Sequence, residues 1–120
     1  MKRLPVSIAA SLLLVSTIVI PKPKTFTGEI MDSQCAEMGM HGIVNPLKTA
    51  RECTIDCVRF GGRYVLYDPA VQMAYGLDDQ RKTESFAGDK VEVTGTLDKI
   101  THTIHVVDIR SANDRIQPRP

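Results

Sequence analysis

Residues 90–109 read KVEVTGTLDKITHTIHVVDI, and their pattern sets the class of fold. Apolar and polar residues alternate along 90–97 and along 103–109, which indicates two half-buried strands joined by residues 98–102. The alternation predicts that Val91 and Val93 share one face, and that Ile104 lies on the face opposite to Ile109. We therefore expect the C-terminal half of the chain to be built on β-strands.

Upstream of residue 90, Gly, Pro, Asn and Asp residues typical of turns and helix ends divide the chain into short elements. Three further strands are predicted at 25–31, 63–67 and 71–77. A helix is predicted over 46–60, because Asn45-Pro46 is a strong helix start and Gly61-Gly62 an equally clear stop.

Two shorter segments complete the pattern. Asp78-Asp79 predicts a short helix that runs to about Phe86. Residues 32–44 contain Gly, Met, His and Cys without a hydrophobic period, so a loop is expected there.

The order of these elements predicts a fold that is β-rich (α+β). Five strands, with a short helix between the third and the fourth, are typical of a small five-stranded OB-like Greek-key barrel. The departure from that pattern is an extra cysteine-bearing helix between strands 1 and 2. The fold class by itself implies no function.

The N-terminus has the features of an export signal. Met1-Lys2-Arg3 supplies positive charge and residues 4–20 are uncharged and mostly apolar. We expect residues 1–24 to be a signal peptide or an N-terminal membrane anchor, with possible membrane anchoring through residues 4–20. The domain follows at 25–111 and a disordered tail at 112–120. The expected location is the periplasm or the cell envelope.

The charge of the domain argues against nucleic-acid binding. The chain has a formal net charge of +1, but Lys2, Arg3, Lys22 and Lys24 lie in or beside the export segment. Without them, eleven basic residues face fourteen acidic ones. A mildly acidic surface does not neutralise phosphates, so the expected partner is an unknown ligand or an envelope protein.

Several segments resemble an uncharacterised family of small exported bacterial OB-fold-like proteins with an Asp-Ser-x-Cys and Cys-x-x-x-Cys pattern. These segments are GEIMDSQC at 28–35, ECTIDCV at 52–58, GGRYVL at 61–66, FAGDKVEVTGTL at 86–97 and TIHV at 103–106. The resemblance covers roughly residues 25–111. It implies an exported, cysteine-bearing OB-like domain and implies no reaction.

Three cysteines are the most chemically specific feature of the sequence. In an exported domain they predict a disulfide from Cys35 to Cys53 or Cys57, which would stabilise the fold by roughly 2–4 kcal/mol. The alternative is a copper or zinc site formed by Cys35, His41, Cys53 and Cys57, since thiolates and imidazole favour soft cations. A third possibility is thiol-redox chemistry, although Cys-x-x-x-Cys differs from the thioredoxin-like spacing.

The sequence contains no nucleophile triad, phosphate-binding glycine loop or nucleotide motif. His102 and His105 fall on opposite faces of a strand, and a shared metal site is not expected from them. The function expected from the sequence is therefore that of a non-enzymatic binding or envelope-associated module stapled by a disulfide, with soft-metal binding as the alternative.

Overall fold

A computed structural model describes residues 2–5, 11–40 and 47–115 of the chain. Residues 11–20 have no regular secondary structure, and their large apolar side chains are exposed. Within the described ranges, no helix has both the length and the apolar character needed to cross a membrane.

The described part of the chain is β-rich, as the sequence predicts. It contains the strands β1 (Lys24–Asp32), β2 (Tyr64–Asp68), β3 (Met73–Leu77), β4 (Lys90–Asp98) and β5 (Thr103–Ser111). Its helices are α1 (Ser33–Met38), α2 (Ala50–Arg59) and α3 (Gln80–Glu84), and Ala112–Arg115 form a 3-10 helix. Residues 116–120 of the predicted tail lie outside the described ranges.

The five strands form one mixed sheet in which every strand pairs with two others. Their order is β1-β2-β3-β5-β4, and β4 also pairs with β1. All pairings are antiparallel except the short one between β3 and β5, which joins Gly76 to Thr103 and Leu77 to Ile104. The first strand divides its length between two partners, because its residues 24–29 pair with β4 and its residues 29–32 pair with β2.

The inward faces of the sheet bury two groups of side chains. The larger group is mainly aliphatic, and its buried members are Ile30, Tyr64, Leu66, Leu77, Ala87, Val91, Val93, Ile104 and Ile109. The smaller group lies where the first two helices meet the sheet and comprises Met31, Cys35, Ala36, Cys53 and Val65. Two of the three cysteines therefore belong to the core.

The predicted faces of the last strand are wrong at its C-terminal end. Ile104 and Ile109 are both buried, at 0% and 5% exposure, although strict alternation puts them on opposite faces. The pairing of β4 with β5 shifts register between Thr94 and Gly95, so that Thr94 pairs with Asp108 and Gly95 with Val106. The extra residue of this bulge reverses the alternation, which a period-two pattern does not anticipate.

The helical predictions between β1 and β2 also need correction. The segment 32–44 was expected to be a loop, but Ser33–Met38 form α1, whose first turn is capped by the Asp32 side chain. The second helix begins at Ala50 rather than Pro46, because Thr49 is its N-cap and residues 47–49 are not helical. The predicted Asn45-Pro46 start lies outside the described residues.

A capping box fixes the start of α2. The Thr49 hydroxyl accepts a hydrogen bond from the Glu52 N–H, and the Glu52 carboxylate accepts one from the Thr49 N–H at 2.9 Å. Such a cap satisfies backbone N–H groups that have no partner within the helix. The helix that carries two of the three cysteines therefore has a defined first residue.

Thr49→Ala is expected to destabilise the domain by about 1 kcal/mol, because it removes the side-chain half of this cap. For a domain of this size the melting temperature should fall by about 4–8 °C in thermal unfolding followed by circular dichroism. Thr49→Ser is the matched control, since it keeps the hydroxyl and should melt close to the wild type. Equal losses in both variants would show that the cap contributes nothing.

Candidate metal centre

The first cysteine is positioned by the junction of β1 and α1. Asp32 is fully buried, and its carboxylate accepts hydrogen bonds from the N–H of Gln34 at 2.9 Å and of Cys35 at 3.3 Å. Gly39 ends the helix in the left-handed region with a φ of 68°. A six-residue helix held at both ends thus presents Cys35 toward the sheet, with the side chain 1% exposed.

The other two cysteines lie one turn apart on α2, so their side chains share a face. Cys53 is 1% exposed, while Cys57 is half-buried. The helix ends close behind them, where the Gly62 N–H donates to the Cys57 carbonyl at 3.0 Å. A Cβ at Gly62 would lie 3.0 Å from that carbonyl oxygen and 3.3 Å from the Asp32 carboxylate, so the turn packs closely against both groups.

The two helices bring all three thiols together. The Sγ atoms of Cys35, Cys53 and Cys57 lie within 4.8 Å of one another. Their surroundings are mainly apolar, with Met31, Ala36 and Val65 buried beside them. The three cysteines are free thiols in the structure, and the predicted disulfide from Cys35 to Cys53 or Cys57 stays a prediction.

This spacing is close to that of a thiolate metal site. Three sulfurs around a tetrahedral zinc ion at about 2.3 Å lie roughly 3.8 Å from one another. The observed upper limit of 4.8 Å exceeds this spacing by about 1 Å, so metal binding would require the sulfurs to move closer together by at most that amount. A disulfide needs a much closer approach of two sulfurs, about 2.05 Å, and would leave the third thiol with no role.

The protein environment favours the neutral form of two of the thiols, those of Cys35 and Cys57. Burial raises the pKa of Cys35 above its usual range, and the hydrogen bond to Asp32 and the charge of that carboxylate raise it further. Burial and the Asp32 charge likewise raise the pKa of Cys57. Reactive cysteines need a lowered pKa, so these two thiols are poorly suited to nucleophilic or redox catalysis at neutral pH.

Among the described residues, the other candidate ligands are not part of this cluster. His41 lies outside the described residues, and the nearby thioethers of Met38 and Met40 are each 57% exposed. His102 stacks on Tyr75, with ring centroids 5.5 Å apart. His105 Nδ1 contacts the Asp78 carboxylate, so it too is engaged elsewhere.

Sequence reasoning missed Asp32 as part of this site. Its role follows from its position directly before a helix, where a carboxylate accepts from the first backbone N–H groups. The signal is present as Asp32 three residues before Cys35, with Gly39 seven residues after Asp32. A six-residue helix is too short for a hydrophobic period to show, so this signal went unused.

Comparisons of this chain with protein-family models, with curated proteins and with solved structures find no match.

Proposed function

We propose that this chain is an exported OB-like domain that binds one soft metal ion, zinc(II) or copper(I), through the thiolates of Cys35, Cys53 and Cys57. The observation that carries the proposal is the convergence of all three sulfur atoms within 4.8 Å at the junction of two helices. A structural disulfide uses only two of these sulfurs, whereas a metal site uses all three. This is why the metal hypothesis is preferred to the disulfide-stapled module that the sequence placed first.

The chemistry of the donors selects the metal. Thiolate sulfur favours copper(I) and zinc(II), while calcium and magnesium require oxygen ligands. A structural zinc site has four ligands, and we propose that His41, three residues beyond the end of α1, is the fourth. No further His, Cys, Asp or Glu among the described residues belongs to the sulfur group.

The same cluster explains how a metal would be retained. The apolar surroundings of Cys35 and Cys53 exclude water, and burial of three thiolates without a cation would be strongly unfavourable. A bound cation compensates this charge as each thiol releases its proton. The half-buried Cys57 provides a route by which the metal could enter.

Two further parts of the proposal rest on weaker support. The pairing of every strand with two others, including β4 with β1, supports an OB-like Greek-key barrel. Export rests on the charge and hydropathy of residues 1–24. The function proposed is binding without catalysis, because burial raises the pKa of the Cys35 and Cys57 thiols and so disfavours a reactive thiolate in the metal-free chain.

Anaerobic titration of the reduced, metal-free chain tests the proposal. Zinc(II) and copper(I) are each added against a competing chelator, and thiols are counted by alkylation before and after loading. We expect one ion per chain and protection of three thiols. Failure of both ions to bind, or protection of fewer than three thiols, would contradict the proposal.

The disulfide alternative predicts different behaviour in the same preparations. Non-reducing peptide mapping of protein from the oxidising compartment would then find Cys35 joined to Cys53 or Cys57, with one free thiol. Reductant, rather than a chelator, would lower the melting temperature. A chelator-sensitive protein with three reduced thiols would exclude this alternative.

A pH series on the metal-free chain tests the state of the buried thiols. The folded-state pKa of Cys35 is raised above the ordinary thiol value of 9.0, so the unfolded chain releases this proton at lower pH than the folded one. The neutral Cys35 thiol therefore makes its full contribution to the free energy of unfolding below about pH 9, and this contribution is lost as the pH rises above that value. We expect the wild type to lose stability relative to Cys35→Ser between pH 8 and 10.5 in denaturant unfolding.

The difference between these two chains removes the effects of other titrating groups. The metal-loaded wild type should not show the alkaline loss, because its thiols are already deprotonated and coordinated. A wild type that follows Cys35→Ser at every pH would show that the Cys35 thiol is not held in its neutral form.

A further inference from the structure

One end of the sheet, opposite the cysteine cluster, concentrates positive charge. Lys24 at the start of β1 pairs with Gly95 near the end of β4. A cavity of about 230 Å³ at this end is lined by Lys22, Lys24 and Lys99 together with the apolar side chains of Phe26 and Leu97. Among the described residues, no carboxylate lines this cavity.

The turn between β4 and β5 adds an exposed apolar tip to the same end. Ile100 is 96% exposed and follows Lys99 directly. The Asp98 carboxylate accepts hydrogen bonds from the N–H of Ile100 at 2.8 Å and of Thr101 at 3.2 Å. The Asp98 carboxylate therefore fixes the backbone of the turn on which Ile100 is exposed.

The chain also enters β1 at this end from its most apolar segment. Residues 11–20 include Leu12, Leu14 and Ile18, which are 87%, 93% and 87% exposed. Only residues 21–23 separate them from β1. Apolar residues and lysines thus meet at one place, which we call the basic end and define as Lys22, Lys24, Lys99 and Ile100.

We propose that the basic end docks on the surface of a bilayer that contains anionic lipids. The lysines would lie against the lipid phosphates, while Ile100 would enter the apolar region beneath the headgroups. Lysines near an anionic surface and an inserted apolar side chain are the two contributions from which peripheral membrane binding is built.

The observations favour a membrane over a nucleic acid or an acidic protein. A nucleic acid or an acidic protein would pair with the lysines but would offer no apolar region to Ile100, which is 96% exposed, or to the exposed apolar side chains of residues 11–20. The chain carries a net charge of only +1, so without the three lysines it is acidic and an anionic surface would repel the rest of it. These charges give the domain one preferred orientation, independently of metal binding at the opposite end.

The absence of tryptophan from the sequence allows a site-specific fluorescence test. Ile100→Trp places a single reporter on the basic end, in the full chain reconstituted into vesicles with brominated acyl chains. Phe60→Trp is the matched control, because Phe60 is 89% exposed and follows α2 near Asp32, at the far end of β1. Nine residues of strand separate the two ends by roughly 26 Å.

In vesicles of phosphatidylcholine and phosphatidylglycerol, we expect quenching and a blue shift at position 100 and neither change at position 60. Quenching should fall at least about fivefold when Lys99→Glu is added, and also in pure phosphatidylcholine, because the electrostatic attraction is lost. Circular dichroism confirms that the variants are folded. No quenching at position 100, equal quenching in neutral vesicles, or equal quenching at position 60 would overturn the proposal.

Discussion

Cys57→Ser is expected to weaken zinc(II) or copper(I) binding by more than about 100-fold, because loss of a direct ligand should exceed the 10–100-fold effect of losing an outer-shell partner. Cys57 is the best of the three cysteines to replace, since it is half-buried while Cys35 and Cys53 are each 1% exposed. The variant should therefore fold. Competition with a chelator of known affinity measures the loss.

The same variant should lose the stabilisation that metal gives the wild type. An ion present at a thousand times its dissociation constant stabilises a folded protein by about 4 kcal/mol. For a domain of this size, the melting temperature of the wild type should rise by roughly 15 °C or more on loading. The same ion concentration should leave Cys57→Ser close to its metal-free melting temperature.

Val65→Ala is a useful control for this experiment. Val65 lies in the same buried cluster as Cys35 and Cys53 but offers no ligand atom. Truncation of Val65 should lower the stability of the metal-free chain, while the rise in melting temperature on metal loading should remain the same as in the wild type. If the melting temperature of Cys57→Ser rose on metal loading as much as that of the wild type, the assignment of three thiolate ligands would be wrong.

Gly28→Ala is expected to destabilise the fold by about 3 kcal/mol or more, and to lower the melting temperature by roughly 12 °C or more. A Cβ at this position would lie 2.3 Å from the Tyr67 carbonyl oxygen and 3.1 Å from Leu66 Cδ1. The first contact is with backbone, so it can be relieved only by moving β2 away from β1. Gly28 lies where β1 passes from its pairing with β4 to its pairing with β2, which makes this displacement costly.

Thr27→Ala is the matched control in the adjacent position of the same strand. Thr27 is exposed, so its truncation should change the free energy of unfolding by about 1 kcal/mol or less. Chemical denaturation of both variants gives the comparison directly. Equal stability of Gly28→Ala and Thr27→Ala would show that β1 and β2 do not approach as closely as described.

The sheet was largely predictable because its strands carry local signals. Alternation in 90–97 and 103–109 predicted β4 and β5, and Asp78-Asp79 predicted a helix close to the observed Gln80–Glu84. The reversal of faces at Ile109 was not predictable, since the bulge depends on how two strands pair and not on the sequence of either one. Gly95 stands at this register shift, where a Cβ would lie 2.2 Å from the His105 carbonyl oxygen.

The candidate site was predictable only as a set of residues. The sequence indicated that Cys53 and Cys57 share a helix face, and it offered Cys35 as their partner. The sequence did not reveal α1 or the capping of its first turn by Asp32. Because α1 positions Cys35, the distance between the Cys35 thiol and the two thiols on α2 could not be predicted. Short capped helices depend on a few side-chain contacts, which leave little trace in hydrophobic periodicity.

X-ray absorption spectroscopy of the metal-loaded, reduced chain tests the central claim most directly, because it counts the atoms bound to the metal. With one equivalent of zinc(II), we predict three sulfur neighbours at about 2.3 Å and one nitrogen or oxygen neighbour at about 2.0–2.1 Å. His41→Ala should preserve the three sulfur neighbours, and Cys57→Ser should reduce them to two. A shell with fewer than three sulfurs in the wild type, or one made only of nitrogen and oxygen, would contradict the assignment of Cys35, Cys53 and Cys57 as a single metal site.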